Sequence, residues 1–117
     1  RVLFRSNTVP VPLVDNRYLP LQHGLFDRDA IVLDKMPKSL VIESKRDSRK
    51  IRVVYEDMNY LGIWHWPKMK VNYVCIEPWS SLPSRKGITE DLETQPNLLR
   101  LESGCEYRNT WSITIEK

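Results

Sequence analysis

The chain has 117 residues, of which 41% are hydrophobic and 28% charged, and its formal net charge is +3. This balance is typical of a soluble globular domain or a large piece of one, and because no apolar run reaches the ~18–20 residues that cross a bilayer, we expect neither a membrane anchor nor a signal peptide. Basic residues cluster only at Lys45, Arg46, Arg49 and Lys50, which predicts a solvated turn rather than a nucleic-acid surface.

Strand signals dominate the first third of the chain. Residues Val9–Val14 alternate apolar side chains with Pro10 and Pro12. Because proline cannot donate to a β-ladder, this pattern predicts an edge strand. Leu19–Phe26 indicates a short helical turn, and the apolar run within Asp29–Asp34 predicts the next strand.

Three predicted strand pairs occupy the rest of the chain, each joined by polar turn residues. They are Ser39–Lys45 with Ile51–Tyr55, Tyr60–Trp66 with Asn72–Ile76, and Leu98–Leu101 with Tyr107–Ile115. In the last strand Trp111, Ile113 and Ile115 alternate with polar residues, which predicts one buried face and one solvent-exposed face. No stretch has helical periodicity over three turns, so the sequence predicts an all-β sandwich or barrel. The polar segment Ser80–Gln95 is too long for a tight hairpin, and loops of this length are often functional.

Cys75 and Cys105 lie in apolar, strand-like stretches without the CxxC spacing or nearby paired histidines that a zinc site requires. We expect free buried thiols, no bound metal and a reducing, cytoplasmic location. A disulfide between the two is the less favoured alternative.

The segment Val74-Cys75-Ile76-Glu77-Pro78-Trp79 is the part of the sequence that most suggests chemistry. It predicts a carboxylate at the end of an apolar strand, held in one rotamer and pointing into a cleft. Trp79 offers an apolar ring to the C–H side of a sugar. The structural alternative is a glutamate in a salt bridge beside a packed tryptophan.

This VCIEPW segment resembles the signature of the aldose 1-epimerase (galactose mutarotase-like) superfamily, particularly its LacX-like branch. Residues 19–30 are similar to the family's L-P-L-x-H-x-L-F-x-x-D-A segment, and residues 60–64 to its Y-L-G-I-W strand. Leu101, Gly104 and Glu106 are similar to its closing L-x-P-G-E turn, although Ser103 stands where proline is usual. The resemblance runs from about Val9 onward, with all four segments in the family's order.

The resemblance implies that Glu77 is the general base of an isomerase that interconverts the α and β anomers of a free aldose, without metal or cofactor. It also implies a β-supersandwich of roughly twice this length or more. Residues 1–117 would then be the C-terminal portion of a single such domain, with the catalytic acid, a histidine, in the preceding half. The start at Arg1 rather than methionine fits a processed or shortened chain. The expected partner is a monosaccharide, an aldohexose, while the oligomeric state is not specified by the sequence.

Further substrate-binding candidates come from the same resemblance. Mutarotases commonly use an aspartate at the start of such a strand to hold sugar hydroxyls, which points to Asp29 or, two residues earlier, Asp27. His23 lies near the place where family members put sugar-contacting groups, and Trp79 is the fourth candidate. The structural alternatives are turn aspartates that accept a backbone N–H, and a loop or helix-cap histidine. His65 has no family role to transfer, so we expect a structural or exposed side chain.

Two other classes of function fit an all-β chain with these residues. One is a non-catalytic carbohydrate-binding β-sandwich, and the other is a sandwich used only for protein–protein contact. Histidines in the family pattern upstream of Arg1 would favour the enzyme, and their absence would favour the binding module.

Overall fold

The computed structural model describes residues 2–4, 7–9, 11, 13–84 and 87–117. Within these ranges the chain forms eight β-strands and one short 3₁₀ helix, His23–Phe26. The strands are β1 (Val2–Phe4), β2 (Asn7–Val9), β3 (Ile31–Asp34), β4 (Ser39–Ser44), β5 (Asp47–Val54), β6 (Tyr60–Trp64), β7 (Cys75–Trp79) and β8 (Ser112–Glu116). In the part of the chain that is described, no helix is long and apolar enough to cross a membrane.

The strands form two antiparallel sheets, which confirms the predicted all-β class and agrees with a β-sandwich. The larger sheet has the order β2-β1-β3-β6-β7, and the smaller has the order β4-β5-β8. The predicted edge strand at Val9–Val14 is only partly tested, because Pro10 and Pro12 lie outside the described residues. Within the described part of this segment, β2 ends at Val9, and Val14 forms an isolated antiparallel bridge with Tyr18.

The first predicted hairpin is confirmed as β4 paired with β5, although β5 begins at Asp47, inside the predicted turn. An Asp47 carboxylate oxygen accepts the backbone N–H of Arg49 at 2.9 Å, and the Arg49 side chain donates to both carboxylate oxygens. These hydrogen bonds lower the pKa of Asp47 to about 2. The four clustered basic residues are all exposed at this hairpin, as predicted.

The second predicted pair is confirmed as β6 with β7, with the second strand shifted toward the C-terminus. The prediction was Asn72–Ile76, whereas β7 is Cys75–Trp79 and includes Pro78. Proline is tolerated there because β7 is the edge strand of its sheet. Glu77 is therefore the central residue of a strand rather than its last one.

The third predicted pair is wrong. Leu98–Leu101 forms no strand, and the final strand is shorter than Tyr107–Ile115 and pairs with β5 instead. A side-chain hydrogen bond also links the two strands: Nε of Arg52 on β5 donates to Oε1 of Glu116, the last residue of β8, at 2.5 Å. Cys105, predicted to be buried in a strand, lies exposed at a turn, where its N–H donates to the carbonyl of Glu102 at 3.0 Å.

One apolar core joins the larger sheet to the near end of the smaller one. Its buried members come from β3, β5, β6 and their connections: Phe26, Ile31, Leu33, Val53, Tyr55, Met58, Leu61 and Ile63. Tyr55 is one of the three most buried side chains, with Phe26 and Leu61, and its hydroxyl donates to the carbonyl of Pro37 at 2.9 Å. The core thus covers one face of β3 and β6 but only the Val53 end of β5.

The rest of the smaller sheet has an uncovered apolar face. In its antiparallel register, residues directly opposite share a face. Two apolar rows result, Leu40–Val53–Ile113 and Ile42–Ile51–Ile115. Val53 is buried, but Ile113 and Ile115 are 57% and 68% exposed, and Trp111 is exposed as well. The predicted buried face of the last strand is therefore exposed, because no described element packs against it.

Candidate functional site

The side of β3, β6 and β7 away from the core carries Cys75, Glu77 and Trp79 of the VCIEPW segment, whereas Val74 and Ile76 pack against the core. Successive strand residues point to opposite faces, and directly opposite residues share one. Since Leu61 and Ile63 enter the core, Tyr60 and Gly62 face the other way. Glu77 lies directly opposite Gly62, and Trp79 lies opposite Tyr60. We call this side of the three strands the Glu77 face.

Glu77 is half-buried in the middle of β7, the edge strand of this face. Its in-strand neighbours on the same side are Cys75 and Trp79, both also half-buried. The position opposite, Gly62, has no side chain, which leaves an indentation beside Glu77 on this face. A half-buried carboxylate among aromatic groups keeps access to a ligand while its conformations are restricted by its neighbours.

The indole of Trp79 extends into this indentation. A Cβ placed on Gly62 would lie 3.0 Å from Cζ2 and 3.2 Å from Cε2 of Trp79, and 3.3 Å from Cβ of Glu77. The structure therefore brings together two of the predicted site residues, Glu77 and Trp79. The Trp79 ring and Cβ of Glu77 both lie against Gly62 on one sheet face.

Asp34 and Tyr60 also belong to the Glu77 face, and sequence reasoning missed both. They lie opposite one another across β3 and β6, and Tyr60 in turn lies opposite Trp79. Burial, and secondarily the charge of Asp34, raise the pKa of the Tyr60 phenol. Strand alternation in Tyr60–Trp64 indicates that Tyr60 lies on the face opposite Leu61 and Ile63. That Tyr60 lies beside Trp79 and Asp34 depends on the register of β3, β6 and β7, which the sequence does not specify.

The other predicted site residues lie near the 3₁₀ helix, on the core side of the sheet. The ring of His23 meets that of His65 edge to face, with centroids 6.0 Å apart. Asp27 accepts the backbone N–H of Lys68 at 2.8 Å, and Asp29 accepts that of Ala30 at 2.8 Å. The structure thus gives both aspartates backbone partners and does not bring His23 or Asp27 onto the Glu77 face. Substrate binding by Asp27, Asp29 and His23 stays a prediction.

His65 is structural rather than exposed, since only 5% of its surface is accessible. Its ring packs edge to face on Phe26, with centroids 4.7 Å apart, and Nδ1 lies 2.8 Å from the Trp66 carbonyl oxygen. A carbonyl oxygen can only accept, so Nδ1 carries the proton that makes this bond. Nε2 is buried and has no hydrogen-bond partner among the described residues.

Cys75 and Cys105 are free thiols, and Cys75 is the one that lies beside Glu77. Among the residues that the structure describes, no cluster of three or more histidine, cysteine, aspartate or glutamate side chains could hold a metal ion. The groups available for chemistry on the Glu77 face are thus the carboxylates of Glu77 and Asp34, the phenol of Tyr60 and the Cys75 thiol.

Comparison with known proteins gives two curated relatives, the plasmid and chromosomal forms of Protein LacX from Lactococcus lactis subsp. lactis. Each is 28% identical to this chain over 106 residues, an alignment that covers 89% of the chain but 35% of the relative. No family model matches the chain, and no solved structure gives a significant match. The chain is therefore similar to the LacX proteins along most of its length, and it spans about a third of theirs.

Proposed function

We propose that this chain is the C-terminal portion of an aldose 1-epimerase-like protein that interconverts the α and β anomers of a free aldohexose. The observation that carries the proposal is the placement of Glu77 in the middle of the edge strand β7, half-buried, two residues before Trp79 and opposite Gly62. The similarity to the LacX proteins and the resemblance of the VCIEPW segment to mutarotases support it. The two free cysteines favour a reducing, cytoplasmic setting.

Glu77 acts as the general base in this proposal. Its carboxylate removes the proton from the C1 hydroxyl while a histidine of the preceding half protonates the ring oxygen, and the bond between C1 and the ring oxygen breaks. The open-chain aldehyde turns about its C1–C2 bond. Ring closure on the other face returns one proton from Glu77 to the carbonyl oxygen and the ring hydroxyl proton to the histidine. Each group contributes typically ~10²–10⁴-fold to the rate.

Trp79 provides the apolar surface of the site. Sugar rings present C–H groups on one side and hydroxyls around the rim, so an aromatic ring beside the base can hold the sugar with C1 near the carboxylate. In the structural alternative, Glu77 forms a salt bridge and is not accessible to a sugar. This arrangement needs a basic side chain next to Glu77 on the Glu77 face. The neighbouring positions across β6 and along β7 are Gly62, Cys75 and Trp79, none of which is basic.

Three features support the proposal that the chain is part of a larger domain. Sixteen large apolar side chains are exposed among the described residues, against eight apolar ones in the core. The radius of gyration is 16.1 Å, whereas a compact domain of this length is expected near ~13 Å. The chain also spans only 35% of its LacX relatives. A further layer from the same protein would cover the open sheet face and supply the acid.

Polarimetry on the full-length protein tests the proposed function. The α anomers of several aldohexoses are dissolved freshly, and the approach to anomeric equilibrium is followed with and without protein. Acceleration above the spontaneous rate supports the enzyme. Sugar binding by calorimetry without any acceleration would instead indicate a non-catalytic carbohydrate-binding sandwich, and a protein that neither binds nor turns over sugars would refute both.

A further inference from the structure

Gly62 occupies a position of the Glu77 face where an added side chain would crowd the proposed site. An added Cβ would lie 3.0 Å from Trp79 Cζ2 and 3.3 Å from Glu77 Cβ. Carbon atoms make their most favourable contacts at ~3.5–4.0 Å, so both distances are too short. The first of them is to a rigid aromatic ring, which cannot relieve the contact by bending.

Backbone conformation does not explain a glycine at this position. Gly62 lies within β6 in regular antiparallel pairing on both sides, opposite Val32 and Glu77, and it is not in the left-handed region that Gly87 and Gly104 occupy. Glycine in a strand interior weakens the strand and often marks a site where another group approaches closely. Here the approaching group is the indole of Trp79.

We infer that Gly62 is a positioning residue for the sugar site, because its missing side chain is what allows the Trp79 ring to lie across β6 next to Glu77. This inference rests on the proposed function and deepens it. Any larger residue at position 62 would displace the ring from the place where it faces a sugar bound at Glu77. Gly62 itself touches no substrate atom in this account and acts only through Trp79.

A double-mutant cycle in the full-length protein tests this relation. Gly62→Ala should raise KM about 2- to 10-fold, the loss of one aromatic contact of ~0.5–1.5 kcal/mol, with kcat changed less. Trp79→Phe removes the outer ring that carries Cζ2 and should raise KM by itself. Because that change also makes room for the added methyl group, the double variant should have the KM of Trp79→Phe alone. Residues that act through one contact are non-additive in this way.

Thermal melting gives a second readout of the same contact, and Gly24→Ala serves as a control substitution. If Gly62→Ala melts early or fails to fold, the double variant should still recover the melting temperature of Trp79→Phe. At Gly24 an added Cβ would meet only Asp27 Oδ2, at an ordinary 3.6 Å, so Gly24→Ala should leave KM unchanged. Fully additive effects of Gly62→Ala and Trp79→Phe on both KM and melting would overturn the inference. A wild-type protein without turnover would instead refute the proposed function, so the two failures are distinguishable.

Discussion

Ile51 lies directly opposite Ile115 where β5 pairs with β8, and the two side chains are 39% and 68% exposed. Ile42 continues this row on β4, and Ile113 lies on the same face in the next row. The larger sheet covers only the Val53 end of this face. An apolar sheet face of this kind, on a three-stranded sheet with open edges, favours association.

The 117-residue chain alone should therefore self-associate. It should also lack mutarotase activity, because the proposed histidine acid belongs to the preceding half. We expect concentration-dependent elution in size-exclusion chromatography, which replacement of Ile113 and Ile115 by threonine should reduce, since threonine keeps β propensity and removes apolar surface. Val41→Thr is the control, because Val41 is also an exposed apolar residue, 39% accessible, but lies on the other face of the same sheet. A wild-type chain that elutes as a monomer at high concentration and melts cooperatively would contradict this account, and measurable catalysis would place the acid within the chain.

In the full-length protein, the same isoleucines should be covered and their replacement should be costly. We expect Ile115→Thr to lower the free energy of unfolding by about 1–3 kcal/mol, since a buried aliphatic side chain is replaced by a shorter polar one. Val41→Thr should change it by less than about 0.5 kcal/mol. Urea denaturation measures both values, and equal effects of the two substitutions would indicate that the face stays exposed in the whole protein.

Replacement of Glu77 should abolish the chemistry while preserving the fold. Glu77→Gln keeps the shape of the side chain and removes the base, so kcat of the full-length protein should fall by about 10²-fold or more, as measured by polarimetry. The matched control is Glu56→Gln, at an exposed turn away from the Glu77 face, which should leave kcat unchanged. Near-normal anomer exchange by Glu77→Gln would remove Glu77 from the mechanism.

Asp29 and Asp27 should affect binding more than turnover if they hold sugar hydroxyls. Replacement of either by alanine removes hydrogen bonds worth ~0.5–1.5 kcal/mol each, or up to ~3 when charged, and KM should rise. The structure gives both residues backbone partners, Ala30 and Lys68, so a purely structural role makes a different prediction. In that case the melting temperature falls while KM stays at the wild-type value, and the sugar site lies elsewhere.

The Arg52–Glu116 pair should make the β5–β8 pairing sensitive to acid. Hydrogen bonds from Arg52 lower the pKa of Glu116 below its ordinary value of 4.5. A carboxyl whose pKa is lowered by folding stabilises the folded state above its unfolded pKa, and this contribution is lost as the pH falls through the lowered value. The effect should be small because the pair is partly exposed to solvent.

Urea denaturation at neutral pH and at about pH 3 measures this contribution. Glu116→Gln should lose part of the wild-type pH dependence, and Arg52→Met should lose the same part, since each removes one member of the pair. Retention of the full pH dependence in both variants would assign the acid sensitivity to other carboxyl groups.

Local sequence patterns predicted the all-β class and the positions of most strands. Alternation and β-branched residues predicted β3, the β4–β5 hairpin and β6, because those patterns depend only on local spacing and on the turn residues between them. A short helical turn was predicted within Leu19–Phe26, and the structure has it at His23–Phe26. Glu77 and Trp79 were singled out together, although Glu77 was predicted to end its strand. Because β7 continues to Trp79, the two residues share a face.

What those strands pack against depends on long-range contacts, which local patterns do not specify. The alternation of Trp111, Ile113 and Ile115 predicted a buried face, yet burial depends on whether an opposing layer is present, and none of the described elements supplies one. The choice of β5 rather than Leu98–Leu101 as the partner of β8 likewise followed from long-range pairing of isoleucines and of Arg52 with Glu116. The indentation at Gly62 required the register of β6 against β7, since a shift of one residue would have placed Glu77 and Trp79 on the opposite face from Gly62.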